Sequence, residues 1–196
     1  MTSHFAHLFV LSQPTLSCGN KYCDSNENST ICPSDCIDYS LETTYDYDSG
    51  TNGNMFVVKA LSDVSITSLS INSMTRGVGA VKVYTRKGSY LGRERSEEGW
   101  TLIYDDPSTQ LSRRGQPTML DNFEVAVNLS GGDYQSFYVW AEQKLVYKRG
   151  KLERLPFASD KSLVIFEGIG VKDHFGPIIY TPRVWGGIIS YTTSVV

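Results

Sequence analysis

Four cysteines lie close together near the start of the chain, within residues 18–36. The segment is polar and carries almost no aliphatic side chains, so burial of apolar surface cannot stabilise it. An even number of cysteines in a short polar segment indicates disulfides, whose connectivity the sequence leaves open. The residues expected to form them are Cys18, Cys23, Cys32 and Cys36.

A structural zinc site is the alternative explanation for these cysteines. Structural zinc ligands usually occur in pairs separated by about two to four residues. The intervals between the cysteines contain four, eight and three residues, so only the first and last are compatible with zinc. We therefore favour disulfides, which indicate an oxidising compartment and predict an extracellular or cell-surface location.

Oxygen-bearing side chains are interspersed among the cysteines. Ca²⁺ takes about six to eight oxygen ligands, and a disulfide-framed loop would hold such ligands in place. The alternative is that Asn and Asp only form turns here. Ca²⁺ is the one cofactor that the sequence raises, and its candidate ligands are Asn20, Asp24, Asn26, Glu27, Asn28 and Asp35.

Two N-glycosylation motifs occur, one at Asn28 within the cysteine segment and one at Asn128. Residues 123–129 alternate between apolar and polar side chains, which predicts a half-buried strand. Because Val127 and Leu129 are expected to face inward, Asn128 is expected to face solvent and to be available for a glycan.

An aromatic stretch in the second half of the chain is a candidate contact surface. Phe137 and Val139 alternate with Tyr138 and Trp140, and one of these two faces must pack inward. If Phe137 and Val139 face the core, Tyr138 and Trp140 form an exposed pair that stacks on a sugar ring or a partner protein. Two other tryptophans, Trp100 and Trp185, are expected in the core.

The charge balance excludes general nucleic-acid binding. Lys and Arg number 18 against 21 Asp and Glu, a formal charge of −3. Such a chain lacks the dense basic surface that phosphate backbones require. Basic side chains nevertheless gather in the central part of the sequence, with Lys148 and Arg149 among them. They are either solvated loop residues or a docking patch for an acidic polysaccharide or subunit.

No pattern of a catalytic centre is present in the sequence. It has no GxSxG nucleophile elbow, no P-loop and no dinucleotide fingerprint. The acidic pairs at 97–98 and 105–106 resemble solvated turns rather than two carboxylates facing each other across a cleft. We expect no catalytic residues and no enzyme activity, with a glycoside hydrolase as a remote alternative.

From about residue 41 to 196 the chain consists of short β-segments separated by Gly, Asp, Asn and Pro. A change of phase after Val64–Ile66 predicts a bulge near Thr67, and Gly131–Asp133 predicts a hairpin turn. No segment has a helical period, and no run of apolar residues is long enough to span a membrane as a helix. The fold class expected is all-β, an antiparallel β-sandwich of jelly-roll type. Further strands are expected at 54–60, 80–86, 100–104, 134–141, 144–148, 162–167 and 184–192.

This gives a chain in three parts. Residues 1–17 contain a short apolar run but no Lys or Arg, which is a poor match to a signal peptide. We expect that they are an N-terminal arm or the remnant of a targeting segment. Residues 18–36 are a disulfide-rich knot, and residues 41–196 are the β-sandwich domain.

Both folded parts resemble known extracellular modules. The pattern CGNxxCDxxEN…CPxDC between Cys18 and Cys36 resembles a small Cys-rich module of secreted proteins and is similar to Notch-type repeats. The order GNMF, VYxxxGxYxG, WTL, SFYV, EGxG, FG and PRVWxGxIxY over residues 44–192 resembles a domain of secreted multidomain proteins of bacteria and microalgae. The resemblance implies an extracellular β-sandwich without an assigned activity, and residues 144–154 are more basic than its pattern.

These features predict a secreted, non-catalytic structural or adhesive module. Its partners would be like subunits or other proteins of an extracellular matrix or surface, because flat sandwich faces and open edges favour assembly. The alternative is a carbohydrate-binding module that uses exposed aromatic side chains. Nucleic acid and a membrane span are not expected.

Overall fold

The computed structural model describes residues 18–20, 23, 27, 29–121 and 123–194. Within these residues the protein consists of strands and connecting turns without a helix, so no helix of the described chain is suited to cross a membrane. The strands are β1 (Cys36–Glu42), β2 (Ser49–Ala60), β3 (Val64–Ile71), β4 (Gly77–Lys87), β5 (Thr101–Leu111), β6 (Thr118–Met119), β7 (Val127–Leu129), β8 (Tyr134–Arg149), β9 (Pro156–Ser159), β10 (Leu163–Phe166), β11 (Gly168–Lys172), β12 (Ile178–Trp185) and β13 (Gly187–Ser194).

The strands form two antiparallel sheets with the connectivity of a jelly roll. The first sheet has the order β1-β13-β3, with β6 and β7 both pairing with β3. The second contains β5-β4-β8-β2, and the chain passes between the sheets as successive strands are added. These two sets of four strand positions are two interlocked Greek keys, which confirms the jelly-roll prediction.

Four further strands extend the second sheet beyond β2. They lie between β8 and β13 in sequence, and they form the pairs β9–β10 and β11–β12. Both β10 and β11 pair with β2, while β12 also pairs with the end of β8. The second sheet therefore has eight strands against five in the first.

The main core fills the space between the two sheets. Phe56 on β2 stacks on Phe137 of β8 and on Trp185 of β12, with ring centroids 5.7 and 4.3 Å apart. Trp185 is 2% exposed, as predicted for a core tryptophan. Val139 also faces this core, so the inward face predicted for β8 is confirmed.

A second apolar cluster covers the outer face of the eight-stranded sheet. It contains Met55 from β2, Tyr84 from β4 and Tyr138 from β8, and Trp100 and Phe175 pack over them from loops. This sheet is thus buried on both faces over part of its area, whereas a one-sided sheet alternates apolar and polar residues. The outer cluster, as we call it, is the main departure from the predicted sandwich.

Several local predictions are resolved by the strand register. The bulge at Thr67 is confirmed, because Ile66 and Ser68 pair with the adjacent residues Tyr191 and Ser190. The turn at 131–132 is present but does not form a hairpin, because β7 pairs with β3 in one sheet and β8 with β2 in the other. The strand predicted over 123–129 is wrong before β7, and Val125 is 72% exposed.

The knot is joined by two disulfides, Cys18–Cys32 and Cys23–Cys36. Cys36 is also the first residue of β1, and the Cys23 amide donates to Ser194 Oγ at 3.0 Å. The knot is therefore attached to the edge of the five-stranded sheet. All four sulfurs are paired, which excludes the zinc alternative and supports an oxidising environment.

Candidate functional site

The prediction that Tyr138 and Trp140 form an exposed aromatic pair is wrong. Tyr138 is 0% exposed and Trp140 is half-buried, because loops close over this face of the sheet. The alternation places both side chains on the outer face, as expected, but alternation does not reveal whether an outer face is covered. The pair belongs to the outer cluster and its surroundings.

The loop after β11 closes over Tyr138. The Phe175 amide donates to the Tyr138 hydroxyl at 3.1 Å, and the two rings meet edge to face with centroids 4.6 Å apart. Asp173 and Phe175 both have positive φ, 63° and 50°, a conformation that non-glycine residues adopt only when their surroundings impose it. Packing on the tyrosine supplies that constraint.

His174 lies on top of this loop, and its Nε2 is 3.0 Å from the Tyr84 hydroxyl. The side chain is exposed, but partial desolvation by the surrounding rings lowers its pKa below the ordinary value; Lys82 lowers the pKa further, while Glu97 and Asp105 oppose the shift. The folded protein therefore binds this proton less tightly than the unfolded chain. The stability contributed by the neutral imidazole is present above about pH 6.5 and is lost as the pH falls through the folded pKa.

We expect an NMR titration of the His174 imidazole to give a pKa below about 6.5. Wild-type protein should lose more stability than His174→Gln when the pH is lowered from about 7.5 to about 5, because the variant has no imidazole to protonate. A His174 pKa above the ordinary value, or identical pH profiles for the two proteins, contradicts this prediction.

A solvent-open cleft lies beside the outer cluster, and we call it the aryl cleft. Its volume is about 320 Å³, near the lower end of the range of roughly 300–1,000 Å³ for small-ligand sites. Its lining includes two aromatic residues and one arginine. The lining residues are Val57, Gly88, Ser89, Tyr134, Arg154 and Phe166.

The two rings of the aryl cleft come from different strands. Tyr134 begins β8 and Phe166 ends β10, and their ring centroids are 6.2 Å apart with a 34° angle between the planes. Tyr134 is 43% exposed, so its ring is available to a ligand. Gly88, whose φ of 78° favours glycine, turns the chain after β4 and donates its amide to the Tyr134 carbonyl at 2.8 Å.

The third wall is the basic loop, residues 150–155. Glu167, only 3% exposed, accepts the amides of Lys151 and Leu152 at 2.6 and 2.9 Å. Glu153 of the same loop accepts the Tyr90 hydroxyl at 2.8 Å. These hydrogen bonds hold the loop in place, because each joins a loop residue to a buried residue: Glu167 in the first case and Tyr90 in the second.

Arg154 has an unusual backbone conformation for its type. Its φ is 67°, in the region that glycine adopts without cost and other residues adopt at a cost of about 1–2 kcal/mol. The Arg154 amide donates to the Glu167 carbonyl at 2.8 Å, which holds this conformation. Strained residues of this kind are concentrated at ligand contacts.

The basic residues singled out from the sequence lie elsewhere. Lys148 Nζ forms an ion pair with Asp46 at 3.3 Å, and Arg149 is exposed, with its amide bound to Asp48 at 2.6 Å. Neither side chain lines the aryl cleft. Their role as a docking patch stays a prediction, whereas Arg154, another of the basic residues gathered in the central part of the sequence, does line the cleft.

The predicted calcium ligands are only partly within the described residues. Asp24, Asn26 and Asn28 lie outside them. Asp35 is fully buried and accepts the Gly19 amide at 2.5 Å and the Ser34 hydroxyl at 3.1 Å. Glu27 is buried, with a carboxylate oxygen close to the sulfurs of Cys18 and Cys32, and Asn20 is exposed. Calcium binding stays a prediction.

Asn128 lies on β7 between the buried residues Val127 and Leu129, and its side chain is exposed, as predicted. Its Oδ1 accepts the hydroxyl of Ser65 at 2.6 Å. The glycan at this position stays a prediction, as does the one at Asn28.

The acidic pair Asp105–Asp106 was expected in a solvated turn. The structure places both residues on the edge strand β5 instead. Asp105 pairs with Lys82 at 3.1 Å. Hydrogen bonds from the Ser108 amide and the Thr109 hydroxyl lower the pKa of Asp106. Both carboxylates are thus held by partners on the same sheet.

No protein-family model and no curated protein matches this sequence. Support for a site at the aryl cleft therefore comes from the geometry of the structure. The cleft itself was missed because its residues are far apart in sequence, from Val57 to Phe166, although the basic character of residues 144–154 was a signal for the loop that carries Arg154.

Proposed function

We propose that this chain is a secreted, non-catalytic attachment module that binds carbohydrate in the aryl cleft. The observation that carries the proposal is the pair of accessible rings, Tyr134 and Phe166, beside the guanidinium of Arg154. Aromatic faces pack against the apolar C–H faces of sugar rings, while Arg donates to hydroxyl or carboxylate oxygens. This combines the two functions expected from the sequence, matrix attachment and sugar binding, with a different set of aromatic residues.

Rigidity of the cleft supports this proposal. Tyr134 and Phe166 begin and end strands of one sheet, and the third wall is held by Glu167. A contact surface on fixed strands loses little conformational entropy when it binds a ligand. The two disulfides support secretion, because they persist in an oxidising environment.

The test is binding to an array of neutral and acidic oligosaccharides. We expect wild-type protein to bind a subset of them and Tyr134→Ala to bind about tenfold more weakly, the loss of about 1.4 kcal/mol expected when one stacking ring is removed. Tyr47→Ala is the matched control, since Tyr47 is 39% exposed but does not line the cleft. It should bind like the wild type.

Assembly of like subunits is the second candidate function. The observation in its favour is β5, an eleven-residue strand at the edge of the eight-stranded sheet with Leu102 41% exposed. Long exposed edges are templates for pairing with another chain. If no oligosaccharide binds and light scattering shows ordered multimers, the assembly function replaces carbohydrate binding.

A further inference from the structure

We propose that the aryl cleft selects acidic saccharides, namely those that carry a carboxylate, through the guanidinium of Arg154. This inference rests on the proposed carbohydrate function and names the ligand class of the same cleft. It follows from the charges around the cleft, from the free state of Arg154 and from the conformation of its backbone.

The charge among the residues that line the cleft is positive. Arg154 is the one charged side chain among the lining residues, and none of them is a carboxylate. A second cation lies at the side, where Lys59 Nζ is 5.4 Å from the centroid of the Tyr134 ring. Two cations around one exposed ring favour a ligand that is itself negative.

Within the described chain, the Arg154 guanidinium has no ion pair or hydrogen bond. Two other basic residues of the described chain do form ion pairs, Lys87 with Asp133 and Arg93 with Glu98. The carboxylate next in sequence, Glu153, is engaged by the hydroxyls of Tyr90 and Thr181, at 2.8 and 2.7 Å. The donors of Arg154 are therefore available to a ligand.

The geometry of these donors favours a carboxylate. A guanidinium is planar and presents parallel N–H groups, which match the two oxygens of a carboxylate in a bidentate pair. The sugar ring attached to the carboxylate would then lie against Tyr134 and Phe166. A neutral sugar would keep the stacking contacts but not the charge-assisted pair.

The backbone of Arg154 gives the sharpest test. Because its φ of 67° suits glycine, Arg154→Gly removes the guanidinium without straining the fold. We expect this variant to be at least as thermostable as the wild type and to bind a carboxylated ligand at least about tenfold more weakly. Arg154→Gln removes the charge with a long side chain retained, and should show the same loss of affinity.

The experiment is calorimetric titration with trigalacturonate, with its neutral counterpart trigalactose and with a sulfated galactose trimer. We expect the carboxylated ligand to bind wild-type protein about tenfold or more tightly than the neutral one, and Arg154→Gly to abolish that difference. Added salt should weaken binding of the carboxylated trimer but not of the neutral one. Lys151→Gln, in the same loop but outside the cleft lining, is the charge-matched control and should keep the preference.

Each other outcome has a definite meaning. Equal binding of the charged and neutral trimers, unchanged in Arg154→Gly, overturns the selection for acidic sugars and leaves the carbohydrate function standing. Preference for the sulfated trimer over the carboxylated one overturns the carboxylate assignment. If no trimer binds and the oligosaccharide array is also negative, the carbohydrate function fails and the inference fails with it.

Discussion

Replacing Tyr138 by Ala is expected to destabilise the protein by about 3–5 kcal/mol, the cost of removing a large buried aromatic side chain. Tyr138 is 0% exposed, and its ring packs against Phe175 and Tyr84 at centroid distances of 4.6 and 5.9 Å. The loss arises from the outer cluster rather than from the space between the sheets. Urea denaturation of wild type and variant measures it.

Two further variants separate the causes of that loss. Tyr138→Phe keeps the ring but removes the hydroxyl that accepts the Phe175 amide, and should cost about 1 kcal/mol. Tyr134→Ala removes the same side chain from a 43% exposed position four residues earlier on β8, and should cost less than about 1 kcal/mol. A cost for Tyr138→Ala as small as that for Tyr134→Ala would mean that the outer face is not a core.

Replacing Glu167 by Ala is expected to cost about 2–3 kcal/mol and to weaken ligand binding as well. The substitution leaves the amides of Lys151 and Leu152 without their acceptor, so the basic loop loosens and Arg154 is no longer held at the cleft. Glu167 is a positioning residue, since it does not line the cleft itself. Denaturation measures the first effect and titration with trigalacturonate the second.

The variant Glu167→Gln is the control for Glu167→Ala, because it replaces the carboxylate with an amide of similar shape. Its oxygen still accepts hydrogen bonds, but without the negative charge, so the loss of stability should be about 1 kcal/mol and the loop should stay in place. Hydrogen exchange at residues 151 and 152 reports the loop directly: protection should fall in Glu167→Ala and largely remain in Glu167→Gln. Full affinity of Glu167→Ala would show that the loop does not depend on this carboxylate.

Local sequence patterns predicted the strands of this protein well where one face of the sheet is buried and the other is exposed to solvent. Alternation identified the inward face of β8 through Phe137 and Val139, and the change of phase near Thr67 located the bulge in β3. The spacing and polarity of the cysteines predicted disulfides, although the pairing Cys18–Cys32 needed the structure. Each of these signals depends on residues within a few positions of one another.

The same patterns were wrong where distant segments meet. Tyr138 looked exposed because its cover comes from Trp100 and Phe175, which are remote in sequence. The turn at 131–132 looked like a hairpin because nothing local shows that β7 and β8 belong to different sheets. Coverage of a face and choice of sheet are decided by long-range packing, which a period of two does not encode.

By itself, the sequence determined an all-β sandwich with a disulfide-linked knot. Only the tertiary structure decided which aromatic residues are accessible: it buries Tyr138 and opens Tyr134 beside Phe166 and Arg154. The physical reason is that burial is a property of the assembled surface. A cleft made from two strand ends and one loop residue with positive φ exists only after those segments have packed together.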